Sequence, residues 1–125
     1  MEYYIILKGQ PKEVAASTLK QWLELQGFSV CVAETHLIHA RSSRPVAVIS
    51  TRYTGCDASH YKAGLSEHPL LWETRMRDEV KCGGHTVWNY PNKEDAKAGH
   101  ERYVEYFMDI FHRHIFEVTR KDIDI

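Results

Sequence analysis

No stretch of this chain is apolar for long enough to cross a membrane as a helix, which takes about 20 such residues in a row. Cysteine is scarce. Cys31, Cys56 and Cys82 are odd in number and include no CxxC pair, which favours free thiols in a reducing compartment over a disulfide framework. Excess charge of one sign is also missing. The net charge is -1, which disfavours nucleic acid as a partner, since its binders usually carry a clear basic excess. The first ten residues, MEYYIILKGQ, hold an acid beside Met1 and no cleavage pattern, so no secretory signal is expected. Nucleophile elbow, P-loop, GxGxxG and HExxH are all absent. The paired H-x-T strings of two-histidine phosphoesterases are missing too, and His85-Thr86 has the wrong spacing. These absences weigh against the commonest enzyme classes.

What remains is one soluble domain spanning 1–125. Of its 125 residues, 43% are apolar and 26% charged, enough for a core and an ordinary surface. Eight histidines would add positive charge below about pH 6.5. Tyr3 to Lys8 reads as an interior strand, ended by Gly9-Gln10-Pro11, with Pro11 suited to the first turn of a helix. From Lys12 to Gln26, Val14, Ala15, Thr18, Leu19, Trp22 and Leu25 make one helical stripe, stopped by Gly27. Strands follow over 28–33 and 35–40, then from Val46 to Ser50, Pro69 to Met76 and Thr86 to Tyr90, with Gly83-Gly84 at a turn tip. A last helix opens at Pro91-Asn92 with Glu94 and Asp95 in its first turn. The order β-α-β-β-β-β-β-α implies an α+β domain: a single mixed, mostly antiparallel sheet packed by two helices. The last helix is apolar on more than one side, through Tyr106, Met108, Ile115, Phe116 and Val118. A homodimer interface over Tyr103 to Val118 is therefore expected, deeper burial in its own core being the alternative.

Four groups of residues carry chemistry. The long loop from Thr54 to Ser66 holds Asp57, Ser59, His60 and Tyr61 after Gly55, with Ser50 and Thr51 on the preceding strand. Small donors and one acid around a glycine turn suit a hydrogen-bonded ligand, and equally an Asx-type turn. His100 lies on the apolar stripe of the last helix, either as a satisfied core histidine or against Glu73 or Asp57 at a pocket floor. Arg52, Arg75 and Arg77, with Arg41 and Arg44, flank the central strands, and alternation puts Arg75 and Arg77 on one side. Facing the loop they would grip phosphate through forked hydrogen bonds; otherwise they are solvated surface charges. Cys56 with His60 and Cys82 with His85 would make a tetrahedral zinc site, but neither spacing is a zinc signature, so neither metal nor cofactor is expected.

The strings Ser50-Thr51-Arg52-Tyr53-Thr54-Gly55-Cys56-Asp57 and Pro69-Leu70-Leu71-Trp72-Glu73-Thr74, then Tyr90, Ala96 and Gly99-His100, resemble a recurring pattern in small bacteriophage-encoded proteins of unknown function. The likeness runs from Val46 to Val104. This chain departs from the pattern at Arg52, Thr54, Ala58 and Arg75-Met76-Arg77, which adds positive charge. The resemblance implies phage origin and a host-cytoplasm setting, names no activity, and draws attention to Ser50, Thr51, Asp57, Glu73, Thr74 and His100. The function expected is a non-enzymatic accessory protein that counters a host defence by sequestering a small phosphorylated or nucleotide-like ligand. The ligand would be held by Arg52, Arg75 or Arg77, with the loop closing over it. The alternatives are docking on a host protein through the aromatic C-terminal helix, an enzyme using His100 as acid or base, and a virion assembly component.

Overall fold

The structure, a computed structural model, describes residues 2–39, 44–57, 59, 61–78, 83–110 and 116–122. Arg41, Ala58, His60 and Cys82 lie outside the described residues.

The fold is α+β, as the patterning implies; among the described residues there are two α-helices and two sheets, and every strand pair is antiparallel. The first sheet is a hairpin of β1 (Tyr3–Leu7) and β2 (Gln10–Val14). Leu7 pairs with Gln10 across a two-residue turn in which Lys8 and Gly9 both have positive φ, +52° and +77°. That is the turn whose twist matches paired strands. Pro11 therefore sits in a strand, not at a helix start. It faces Ile6 in a non-hydrogen-bonded pair, where its missing N–H deprives no partner. Helix α1 begins only at Ala16 and runs to Gln26. It buries Leu19, half-buries Trp22 and Leu23, and leaves Leu25 in solvent. Gly27 ends it at φ +58° and ψ −131°, its N–H donating to the Leu23 carbonyl, a backbone conformation outside the left-handed helical region that glycine adopts readily.

The second sheet has the order β6-β5-β4-β3-β7. The two short strands expected over 28–33 and 35–40 are one, β3 (Cys31–His39). Its central partner β4 runs Pro45–Tyr53, and β5 spans Trp72–Asp78. Gly83 and Gly84 are not a turn tip. They open β6 (Gly83–Tyr90), opposite Asp78 and Arg77. Helix α2 (Lys93–Ile110) is capped by Asn92, whose Oδ1 accepts the Asp95 N–H at 2.8 Å. It does not extend to Val118. Phe116–Asp122 forms strand β7 against β3. A continuous helical interface from Tyr103 to Val118 is thereby corrected: the excess apolar residues belong partly to a fifth strand that extends the sheet.

Alternation along the strands sorts the sheet into two faces. Ala33, Thr35 and Leu37 on β3 pair with Thr51, Ile49 and Ala47 on β4, and β5 adds Thr74 opposite Thr51. These residues are buried, and α2 lies across β3, β4, β5 and β6. The core divides in two. Tyr4, Leu19, Val32, Tyr53, Leu71, Trp72, Tyr90 and Ala96 make one apolar cluster; Leu37, Ala47, Ile49, Val104 and Phe107 make the other. On α2, Ala96, His100 and Val104 follow at i, i+4 and i+8, so His100 falls at the boundary between the clusters.

Candidate functional site

The boundary is a polar layer. His100 is 0% exposed. Its Nε2 is hydrogen-bonded to Thr35 Oγ1 at 2.8 Å and its Nδ1 to Thr51 Oγ1 at 2.7 Å. Thr51 is bonded to Thr74, and Thr74 Oγ1 donates to the Tyr90 hydroxyl at 3.2 Å. The chain thus runs from β3 across β4 and β5 to β6. Each hydroxyl has a single proton to donate, so with Thr74 donating to Tyr90, Thr51 donates to Thr74 and accepts from Nδ1–H, while Nε2 accepts the Thr35 hydroxyl. Neither Glu73 nor Asp57 reaches it. Glu73 pairs with Arg52 on the other face, and Asp57 is bonded within the loop, so of the two alternatives the core histidine is the one the hydrogen bonds favour. With both nitrogens engaged and no exposed surface, the ring ties the helix to the sheet.

Asp57 organises the loop after β4. Oδ1 accepts the backbone N–H of Ser59 at 2.8 Å and of Leu70 at 3.0 Å, and the Ser59 hydroxyl at 2.5 Å; Oδ2 accepts the Tyr61 N–H at 3.1 Å. One carboxylate thereby pins both ends of the loop. Burial alone would raise the Asp57 pKa, but the bonds from Ser59, Leu70 and Tyr61 outweigh it and hold the group below the usual carboxylate value. The loop is also tied to the hairpin. Gly55 O accepts the Tyr4 N–H at 2.8 Å, Glu2 O accepts the Asp57 N–H at 3.1 Å, and the Tyr53 hydroxyl donates to Tyr4 O. Gly55 has φ +73°, and a Cβ there would strike Leu19 and the Tyr4 carbonyl, so the close approach requires glycine.

The opposite face of the sheet carries the charge. Ser50, Arg52, Arg75 and Arg77 line one depression of about 250 Å³, together with Glu34 and Val48. Register explains the gathering: Ser50 is opposite Arg75, Val48 opposite Arg77, and Glu34 opposite Ser50. All three arginines are exposed. Glu34 Oε2 is 3.3 Å from His36 Nε2, and Glu73 accepts the Thr86 hydroxyl at 3.3 Å.

The expected site residues therefore separate into three places. Thr51, Thr74 and His100 meet in the interior; Asp57 and Ser59 meet in the loop; Ser50, Arg52, Glu73, Arg75 and Arg77 share the outer face. The arginines face away from the polar layer. His60 is outside the described residues. Cys56 follows the β4 end that pairs with Trp72, whereas His85 lies opposite Met76, about 13 Å further along β5 at the rise of a strand. Among the described residues no three His, Cys, Asp or Glu side chains cluster as metal ligands. Burial, and to a lesser extent Glu73, raises the Cys56 thiol, and burial, then Glu34, raises Cys31, so neither is an activated nucleophile. Sequence reading missed Thr35 as a partner of His100, because dividing β3 in two hid the alternation that puts Thr35 on one face with buried Ala33. It also missed Tyr90 as the far end of the polar layer.

Compared with known proteins, the chain matches no family model, no curated protein and no solved structure. Among the described residues no helix is long and apolar enough to cross a membrane.

Proposed function

We propose that this is a non-enzymatic binding protein that sequesters a small phosphorylated ligand on the outer face of its five-stranded sheet. The observation that carries this reading is the convergence of Arg52, Arg75, Arg77 and the Ser50 hydroxyl on one depression. Guanidinium groups grip phosphate by paired N–H···O bonds, and a nearby hydroxyl supplies a further donor. Glu34 on one side and Glu73 beside Arg52 limit the negative charge that the face accepts, which favours a single compact phosphate over a polyanion. The proposed setting is the cytoplasm of a phage-infected cell, with a host defence signal as the ligand. In this reading the loop after β4, none of whose residues line the depression, takes no part in holding the ligand, and His100 holds the scaffold.

Native mass spectrometry of protein from its expression host, followed by calorimetric titration with inorganic phosphate and nucleoside monophosphates, tests the proposal. A phosphorylated adduct, or stoichiometric binding with ligand recovered intact after denaturation, is expected. Recovery of altered ligand would make the protein an enzyme. No adduct and no heat with any phosphate would overturn the reading.

A second reading is favoured by the surface beside the free edge of β6. Trp88 is 66% and Tyr106 61% exposed, and they flank a hollow with Tyr103 and Arg102. Aromatic and arginine side chains dominate protein–protein contact energies, so this is where a host protein or a second copy of the chain would dock. Loss of partner capture, or of dimer mass in solution scattering, in Trp88→Ser with Tyr106→Ser is the expected result.

A further inference from the structure

The outer face carries two hollows, and Arg52 lines both. The first is the depression of about 250 Å³ that holds Ser50, Arg75 and Arg77. The second, of about 580 Å³, lies where the end of the sheet meets the second half of α1 and the turn before β3. Leu23 and Val30 give it an apolar side, Glu73 and Asn89 a polar one. Register explains the polar side. Arg52, Glu73 and Asn89 stand opposite one another on β4, β5 and β6. Their row lies two residues, about 7 Å, along the strands from Ser50 and Arg75.

Size and chemistry divide the two hollows. Small-molecule sites run from about 300 to 1,000 Å³; the depression falls short of that range and the second hollow lies within it. The depression offers guanidinium groups and a hydroxyl, which suit phosphate. The second hollow offers a carboxylate, a carboxamide and aliphatic side chains, which suit a carbon skeleton that carries hydroxyl or amino donors. Arg52 and Glu73, paired across the strands and opposite in charge, do not neutralise each other. Among the described residues no ion pair joins them, and Glu73 Oε2 accepts the Thr86 hydroxyl at 3.3 Å instead. A carboxylate has about four acceptor sites, so Glu73 keeps capacity for further donors. Thr54 and Cys56 also border this hollow. Thr54 Oγ1 donates to the Leu71 carbonyl at 3.1 Å and accepts the Cys56 N–H at 3.3 Å, so the start of the loop bounds the hollow without bonding into it.

We infer that the ligand of the outer face is a phosphate monoester of a hydroxyl- or amino-bearing group, with the phosphate among the arginines and that group in the second hollow, donating to Glu73. The inference rests on the phosphate reading of the depression and adds the class of group to which the phosphate is joined. Sugar phosphates and nucleoside monophosphates share this chemistry.

The test titrates the full chain, labelled with nitrogen-15, with inorganic phosphate, n-butyl phosphate, ribose 5-phosphate and adenosine 5′-monophosphate. Butyl phosphate has the ester and a carbon chain but no donor on it. Ribose 5-phosphate is expected to bind about tenfold tighter than butyl phosphate, the worth of one hydrogen bond to a charged acceptor. The Asn89 side-chain amide resonances are expected to shift with ribose 5-phosphate and to stay in place with inorganic phosphate. Glu73→Gln, which keeps the shape and removes the charge, is expected to erase most of the tenfold preference. A further gain with the nucleotide would place its base against Leu23 and Val30; equal affinity would make the phosphorylated sugar the whole ligand, and both results support the class. The inference is overturned if ribose 5-phosphate gains nothing over butyl phosphate, if Asn89 does not respond to it, or if the preference survives whole in folded Glu73→Gln. The wild-type titrations decide the matter without the variant. Binding of inorganic phosphate in any of those cases leaves the outer-face reading standing, whereas binding of none of the four overturns both.

Discussion

The Tyr90 ring lies against Gly99 in the space where any other residue at that position would carry its β-carbon. The contact brings α2 down onto the β6 side of the sheet, and the Tyr90 hydroxyl accepts the bond from Thr74 at the end of the polar layer. Gly99→Ala should therefore destabilise the protein, although alanine is worth about 1 kcal/mol in an unconstrained helix. Overpacking of about 1–3 kcal/mol must exceed that gain, because the ring cannot stay in place. Chemical denaturation measures the loss. In a Tyr90→Ala background the same substitution should cost little, and a cycle of the two changes should show the coupling.

His100 is the next position where helix and sheet depend on each other. Replacing it with alanine leaves a void between two apolar clusters and strips Thr35 and Thr51 of their shared partner. The expected cost is about 3 kcal/mol, from cavity and unsatisfied hydroxyl together. Phosphate affinity at the outer face should be unchanged at a temperature where the variant is folded. If binding were lost while stability held, the ring would have a direct part in function.

Asp57 predicts a pH dependence. Its native pKa is held below the usual value by hydrogen bonds that outweigh burial. A depressed native pKa gives stability that is fully present above the unfolded value, about 3.9, and is lost as the pH falls through the native one. Asp57→Asn should cost about 2–3 kcal/mol at neutral pH, since an amide oxygen is a weaker acceptor for these donors. The gap between wild type and variant in denaturant titrations should stay constant from pH 7 to about 4 and narrow below that. A gap that did not change with pH would mean that the charge of Asp57 contributes nothing.

The α+β class was legible because the strands are rich in β-branched and aromatic residues and α2 carries a clear stripe. What misled was local. Pro11 reads as a helix opener only until Lys8 adopts a left-handed conformation and turns the segment into a hairpin. Phe116 to Val118 continued an apolar pattern that periodicity alone does not assign to helix or strand. The site was half legible for a different reason. Alternation correctly puts Arg75 and Arg77 on one side of their strand. Which residues of β4 and β3 share that side depends on register, and register is a property of pairing, not of any one strand. Separating Ser50 from Thr51, and Glu73 from Thr74, required the register; with it, neighbours in one motif fall on opposite faces and into different roles.

The outer-face reading is most sharply tested at Arg75, which lies opposite Ser50 across β4 and β5. If it clasps phosphate through two parallel bonds, charge alone will not replace it. Arg75→Lys keeps the charge but loses the fork, and should weaken phosphate binding about tenfold, with Arg75→Gln weaker still. Both variants should unfold like wild type, since the side chain is exposed and surface substitutions usually change stability little. Raising the salt concentration should weaken the wild-type affinity, because an exposed cluster is screened over a Debye length of about 10 Å at 0.1 M. Titrations at two ionic strengths separate the cases. If lysine binds as well as arginine and salt accounts for the whole affinity, the face is a diffuse positive surface. If lysine fails while salt dependence is modest, the arginine geometry is the binding site.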